Sequence, residues 1–305
     1  MIRRIIPARL KPWLRSLRQK VRHRWIITFH TFGPEELKAL LHRVGVAPGD
    51  VVMVHSSFDR FEGFQGSLRD AMQVLQDAVG ADGGLLMPTL PFSGSAVEYV
   101  RTNAVLDVKR TASRMGFMTE IFRRLPGVSR SLHPTHPVAG WGAKAAHLLE
   151  SHRSAKTPCG AGSPFEKLVE ADGKVVLLGV GISTMTFYHY LEEDLESRMP
   201  FSPFTTETFT VSVRDERGQT WPVVTRLYDP VASSERDPEL MVPHLKARGF
   251  WREGKVGKLN VIVLRCREVR QVVSEMASKG LFCYQNVPSL IARQGDRPGQ
   301  APCAD

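Results

Sequence analysis

The densest set of reactive side chains is Thr186-Phe187-Tyr188-His189-Tyr190-Leu191-Glu192-Glu193, followed by Glu196. On a helix, Met185, Tyr188, Leu191 and Leu195 share one packed stripe. His189, Glu192, Glu193 and Glu196 then fall on a neighbouring face. A histidine among acids can take the proton of an amine while the acids attract a cationic acceptor. The same spacing also suits an exposed acidic face with an incidental histidine. Glu120 sits beside a second stripe of Met118, Ile121, Phe122 and Leu125. Its carboxylate can orient an imidazole or pair with Arg123 or Arg124.

Other groups give weaker signals. His133 and His136 are three apart, but no cysteine or HExxH element completes a zinc site, so no metal is expected. Ser56 and Ser57 stand at a strand end where a nucleophile could sit, although GxSxG is absent. Gly179-x-Gly181 follows a strand but lacks the third glycine of a dinucleotide fingerprint. Gly63, Gly66 and the helix start after them could cradle a phosphate through backbone N–H groups, or simply form a loop.

The elements around these residues alternate. Pro34 opens a helix with Leu37, Leu40, Leu41 and Val44 on one face, and Val51 to Val54 is a short buried strand running into His55-Ser56-Ser57. A helix aligning Leu68, Met72, Leu75 and Val79 leads to the strand Leu85-Leu86-Met87. Helical segments are expected over 114–125 and 143–152, and Ser163-Pro164-Phe165-Glu166 reads as a capping box. Lys174 to Leu178 is a strand, with a helix from about Thr184. Thr208–Val213 and Trp221–Leu227 flank a turn at Asp215–Gly218 and read as a hairpin. A helix over 268–280 closes the fold, and residues 286–305 read as a flexible tail. This is α/β grammar, with a mixed central sheet and helices packed around it.

Composition adds a constraint on partners. The 305 residues carry 41 Lys+Arg and 31 Asp+Glu, a net charge of +10. Nine of the basic residues lie within residues 1–30, which contain no acid, so the remaining 275 residues carry only +1. The excess charge therefore does not mark the body as a nucleic-acid binder. Trp13, Leu14, Leu17, Val21 and Trp25 make a narrow apolar stripe in this head, the pattern of a helix lying on an anionic membrane, or of one docking on the body. Four scattered cysteines and no secretory pattern point to the cytoplasm, with possible contact at the inner face of the membrane. The domains expected are a basic appendage (1–30), a catalytic body (31–285) and the tail.

Read in order, the pieces resemble the aminoglycoside 3-N-acetyltransferase family, whose fold is distinct from the GCN5-related acetyltransferases. The resemblance rests on Gly49-Asp50 through Val54-His55-Ser56-Ser57, Gly63 to Gly66, and Gly84-Leu85-Leu86-Met87-Pro88-Thr89. It continues through Gly116 to Glu120, Arg123, Pro126-Gly127, Arg130-Ser131, His133-Pro134 and Gly160-Ala161-Gly162-Ser163-Pro164. It closes with Val176 to Val180, Thr186-x-x-His189-x-x-Glu192 and Gly254 to Gly257, covering about residues 31 to 280.

The resemblance implies acetyl transfer from acetyl-CoA to a primary amine of an amino sugar or aminoglycoside. It makes His189 the general base and Glu120 the carboxylate that holds its ring. Ser56, Ser57, Gly63, Gly66, Ser67, Arg130, His133 and His136 would line the CoA path, and Glu192 and Glu196 would face a cationic acceptor. The Ser56-Ser57 region is the nominee for oxyanion donor. The chain departs from the family pattern at Gly66-Ser67, at Pro137 and at His189-Tyr190-Leu191-Glu192. Taken with the basic head, these departures suggest an amino sugar on a nucleotide carrier, a lipid-linked glycan or a natural product. The competing readings are a Ser/His acyl hydrolase using Ser56 or Ser57, and a non-catalytic membrane-associated protein.

Overall fold

The computed structural model describes residues 25–295 apart from 27, 103 and 104. Three parallel strands, β1 (Val51–Ser56), β2 (Gly84–Pro88) and β6 (Lys174–Leu178), form its centre. Antiparallel strands flank them: β4 (Ser129–Arg130) and β5 (Val138–Trp141) beside β2, β10 (Leu259–Arg265) and β9 (Arg252–Val256) beside β6. The sheet order is β4-β5-β2-β1-β6-β10-β9, with a smaller sheet of β3 (Val105–Asp107), β7 (Phe204–Arg214) and β8 (Thr220–Tyr228).

Strand β1 is an unbroken apolar run because both of its faces are covered. Val52 and Val54 pack against the helices Pro34–Arg43 and Leu68–Val79. Val51 and Met53 pack on the other face, with the helices Pro164–Glu170, Tyr188–Asp194 and Cys266–Ala277. The chain leaves β1 for β2 through a helix on one face and later reaches β6, on the other side of β1, through a helix on the opposite face. Such a reversal opens a crevice beyond the carboxyl ends of β1 and β6. Ser56, Ser57 and Gly179 stand at that edge, and the His189 helix is the next α-helix after β6.

Several expectations change on folding. The helix expected from Thr184 is broken: Ile182–Thr184 is a 3₁₀ turn, Met185 is extended, and the α-helix runs only over Tyr188–Asp194. The Thr184 hydroxyl donates to the Gly181 carbonyl at 2.8 Å, which closes that first turn on itself. The hairpin forms as β7 and β8, with Asp215 accepting from the amides of Arg217 and Gln219 at 2.9 Å each.

The tail expectation is corrected for Val287–Gly295, which is a helix. Leu290 packs against Phe201, Ala232 and Tyr284, and the Gln294 side chain pairs with both the amide and the carbonyl of Ser202 at 2.7 Å. The boundary at residue 30 also moves. Ile26 is 5% exposed, and Gly63 has a φ of +89°, with the His30 carbonyl and the Ile26 side chain filling the space a Cβ would take. The chain from Trp25 onward is therefore part of the packed body. The basic stripe lies outside the described residues except for Trp25, whose ring sits under the Lys258 ammonium.

Candidate active site

His189 is the second residue of its helix, and its side chain is 21% exposed. Nδ1 lies 2.9 Å from Glu192 Oε2. A carboxylate only accepts, so Nδ1 carries the proton and Nε2 is left as the basic nitrogen. Glu192, one turn on, is 1% exposed. Its other oxygen accepts from Arg236 Nε at 2.6 Å and from the Tyr284 hydroxyl. A buried carboxylate survives only with such partners. Burial opposes its ionisation, but Arg236 and the His189 bond hold its pKa below the usual carboxylate value. Burial, then Arg236, lowers the pKa of His189 against the pull of Glu192, so the imidazole is neutral at pH 7.

The ring is enclosed by aromatic groups. Tyr228, from the end of β8, lies 4.8 Å from it between centroids, and His136 meets it edge-on at 5.7 Å. His136 also meets Tyr228 and Phe92 edge-on. The Tyr228 hydroxyl donates to Glu193, which also accepts from the Cys159 amide at 2.9 Å. Burial pushes the Glu193 carboxyl up to about 7, against Thr157, Tyr228 and Cys159. Gly160 is required here because a Cβ would come within 2.5 Å of Thr157 Oγ1 and collide with Glu193.

Several assignments need correction. Glu120 does not hold the His189 ring; its partners are Arg123 (Nε at 2.6 Å, Nη2 at 2.7 Å), Arg124 and the Ser113 amide at 2.6 Å. Although burial raises its pKa, these cations and the amide bring it down to about 2. The carboxylate on His189 is Glu192, because residues three apart on one helix meet without any tertiary adjustment. Glu192 therefore does not present a free charge to an acceptor. Nor does Glu196, whose carboxylate faces Arg226 at 2.6 and 3.2 Å and accepts from the Ser202 hydroxyl.

Arg130 is 6% exposed and donates to Thr89, Val108 and Thr111, so its guanidinium is saturated by the protein rather than offered to a phosphate. His133 is fully buried, stacks on His152 at 4.6 Å and accepts the His136 amide at 3.1 Å, which makes it a core group.

At the crevice, the Ser56 hydroxyl donates to Met118 Sδ at 2.8 Å, and the Ser57 amide bonds the Leu178 carbonyl at 3.2 Å. Sulfur is a weak acceptor, so the Ser56 hydroxyl is readily redirected. Gly63, Gly66 and Ser67 make the loop before the helix Leu68–Val79, where Asp70 accepts both the amide and the hydroxyl of Ser67 at 2.7 Å. A neighbouring cavity of about 430 Å³ is lined by Arg60, Gly179, Val180, Gly181 and Lys258. Arg236, Tyr284 and Tyr228 carried no signal in the sequence. Antiparallel bridging of Arg236 with Tyr284 brings the first two together. His55, 4% exposed on the His189 side of β1, has a buried Nε2 with no partner, and burial with the nearby His189 lowers its pKa to about 3.

Fold and site together define a mixed α/β protein with a histidine–carboxylate pair beside a crevice at the strand ends. Residues 53–278 match the family model described as aminoglycoside 3-N-acetyltransferase, and the chain belongs to that family. Among its relatives, aminoglycoside N(3)-acetyltransferase III of Serratia marcescens is 32% identical over 171 residues, covering 52% of this chain and 63% of the relative. Aminoglycoside N(3)-acetyltransferase VIII of Streptomyces fradiae is 29% identical over 172 residues, 52% of this chain and 59% of the relative. The matched segment is thus under two thirds of each relative's length. The fold resembles that of aminoglycoside acetyltransferase AAC(3)-Xa (TM-score 0.71, 24% identity, 86% of this chain and 99% of that one). It also resembles AAC-IIIb in its binary structure with CoASH (TM-score 0.67, 24% identity, 83% and 98%).

Proposed function

We propose that the protein transfers an acetyl group from acetyl-CoA to a primary amine of an amino sugar or aminoglycoside, by direct transfer with His189 as general base. The observation that carries this reading is the His189–Glu192 bond, which fixes the tautomer and leaves Nε2 free to accept a proton. The amine nitrogen attacks the thioester carbonyl, a C–N bond forms, and its proton passes to Nε2. Collapse of the tetrahedral intermediate breaks the C–S bond, and the proton leaves with the CoA thiolate. No acyl-enzyme is needed, and general base catalysis contributes about 10²–10⁴-fold. The Ser56 hydroxyl is the nominee for oxyanion donor, and CoA runs along Ser56, Ser57 and the Gly63–Ser67 loop.

Family membership and the CoASH-bound relative of like fold support acetyl-CoA as co-substrate. The hydrolase reading would need a serine hydroxyl on His189 Nε2, whereas the Ser56 hydroxyl donates to Met118 Sδ. In this reading the enzyme acts in the cytoplasm, and contact of the basic segment 1–30 with the inner face of the membrane is part of the proposal. No helix among the described residues is long and apolar enough to cross a membrane.

The test is His189→Ala, assayed by CoA-thiol release and by calorimetric titration with acetyl-CoA. Turnover should fall by about 10²-fold or more while acetyl-CoA still binds. Full activity in the variant, or no acetyl-CoA binding by the native protein, would overturn the reading.

A further inference from the structure

The His189 ring is tied by one hydrogen bond, from Nδ1 to Glu192. A ring held at one point can still swing about that bond, and proton transfer needs Nε2 within reach of the amine. The direction of Nε2 therefore depends on what the ring leans against. Tyr228 lies against it with centroids 4.8 Å apart and planes inclined by 34°, and His136 meets it edge-on. Tyr228 is 5% exposed and is itself fixed in three ways. Phe204, its register partner across the β7–β8 pair, stacks on it at 5.1 Å and 15°. The Arg236 guanidinium, which also holds Glu192, lies 4.7 Å from its ring centroid. Its hydroxyl donates to Glu193 Oε1, the oxygen that also accepts the Cys159 amide. A buried tyrosine hydroxyl ordinarily finds a partner, and here that partner is the residue next to Glu192. Two consecutive acids of one helix thus reach the imidazole by different routes: Glu192 directly at Nδ1, Glu193 through the Tyr228 ring.

Resting on the acetyltransferase reading above, we propose that Tyr228 is a positioning residue for His189, walling its ring so that Nε2 is aimed at the acceptor amine, and that Glu193 acts on the reaction through the Tyr228 hydroxyl.

The groups facing His189 are Glu192 on its own helix, Arg236, Tyr228 and His136 from the elements around it, and His55 from β1. Tyr228→Leu removes the ring and leaves the other four in place. Water then reaches the imidazole, and relief of its burial should raise its pKa toward 6.5. Proton NMR titration of the histidine rings, with His189→Gln to assign the signal, reads this without any acceptor. Turnover is read by CoA-thiol release with a hexosamine and with an aminoglycoside, and acetyl-CoA affinity by calorimetry. In Tyr228→Leu kcat should fall by about tenfold or more with acetyl-CoA affinity unchanged. Tyr228→Phe, which keeps the ring, should recover most of that loss and the native titration. Its remaining deficit should equal that of Glu193→Ala, and the double variant should be no worse than either, because both remove the same bond. Should Tyr228→Leu not fold, this shared deficit carries the test. A folded Tyr228→Leu with native kcat and native His189 titration would overturn the proposal, as would a loss of acetyl-CoA affinity that accounts for the whole effect. Additive losses in the double variant would overturn the role given to Glu193. No turnover of either acceptor by the native protein would count against the acetyltransferase reading, while the imidazole titration would still decide the role of Tyr228.

Discussion

At the residue scale, one oxygen of Glu192 fixes the His189 tautomer while the other is neutralised by Arg236 and Tyr284. Glu192→Gln keeps the shape but removes the charge, so kcat should drop by about 10²-fold or more with acetyl-CoA binding retained; steady-state kinetics and calorimetry read the two separately. Because the resting His189 has a lowered pKa, the acid limb of the kcat/KM profile should lie below pH 6.5, with activity lost as the ring protonates. A limb centred above pH 7 would contradict this environment.

Glu193 makes the opposite kind of prediction. Its folded-state pKa, about 7, is above the ordinary 4.5, so the folded protein holds a proton that the unfolded chain has lost. Its contribution to stability is then complete below pH 4.5 and lost as pH rises to 7, by about 3 kcal/mol. Glu193→Gln should flatten that slope in denaturant unfolding measured at pH 5 and pH 8.

At the scale of elements, the site depends on pieces far apart in the chain. The His189 helix ends at Asp194, and the 3₁₀ turn Glu196–Arg198 that follows carries Glu196 onto Arg226. The hairpin supplies Tyr228, and the C-terminal helix Val287–Gly295 packs Leu290 against Tyr284. Leu290→Ala should cost about 2–5 kcal/mol by denaturant unfolding. By loosening Tyr284 on Glu192, it should also lower kcat more than it alters acetyl-CoA affinity. An unchanged kcat in the folded variant would show that this helix only adds stability.

At the scale of the whole molecule, the charge of +10 divides unevenly, since all nine basic residues of the head precede Trp25. Deleting residues 1–24 should leave turnover of soluble acceptors intact and reduce sedimentation with anionic vesicles. Deleting residues 1–30 should instead lower stability, because it removes Ile26 and the His30 carbonyl from the Gly63 loop. Comparing the unfolding midpoints of the two truncations tests where the body begins.

The central strands were legible because a strand covered on both faces must be continuously apolar, as Val51–Val54 and Val175–Leu178 are. His189 and Glu192 were also legible as neighbours, since helical spacing alone brings them together. The distant partner of each charge was not. Glu120–Arg123 and His189–Glu192 are both pairs three residues apart that helical spacing allows, and only packing brought Arg236 onto Glu192 and Arg226 onto Glu196. The sequence by itself determined the α/β order, the family motifs and the histidine. Tertiary structure decided which distant cations neutralise the acids around that histidine, leaving neither Glu192 nor Glu196 as a free charge. Charge pairing is settled by burial and by contacts between distant segments, such as Arg236 with Glu192 across 44 positions, and local spacing holds no record of them.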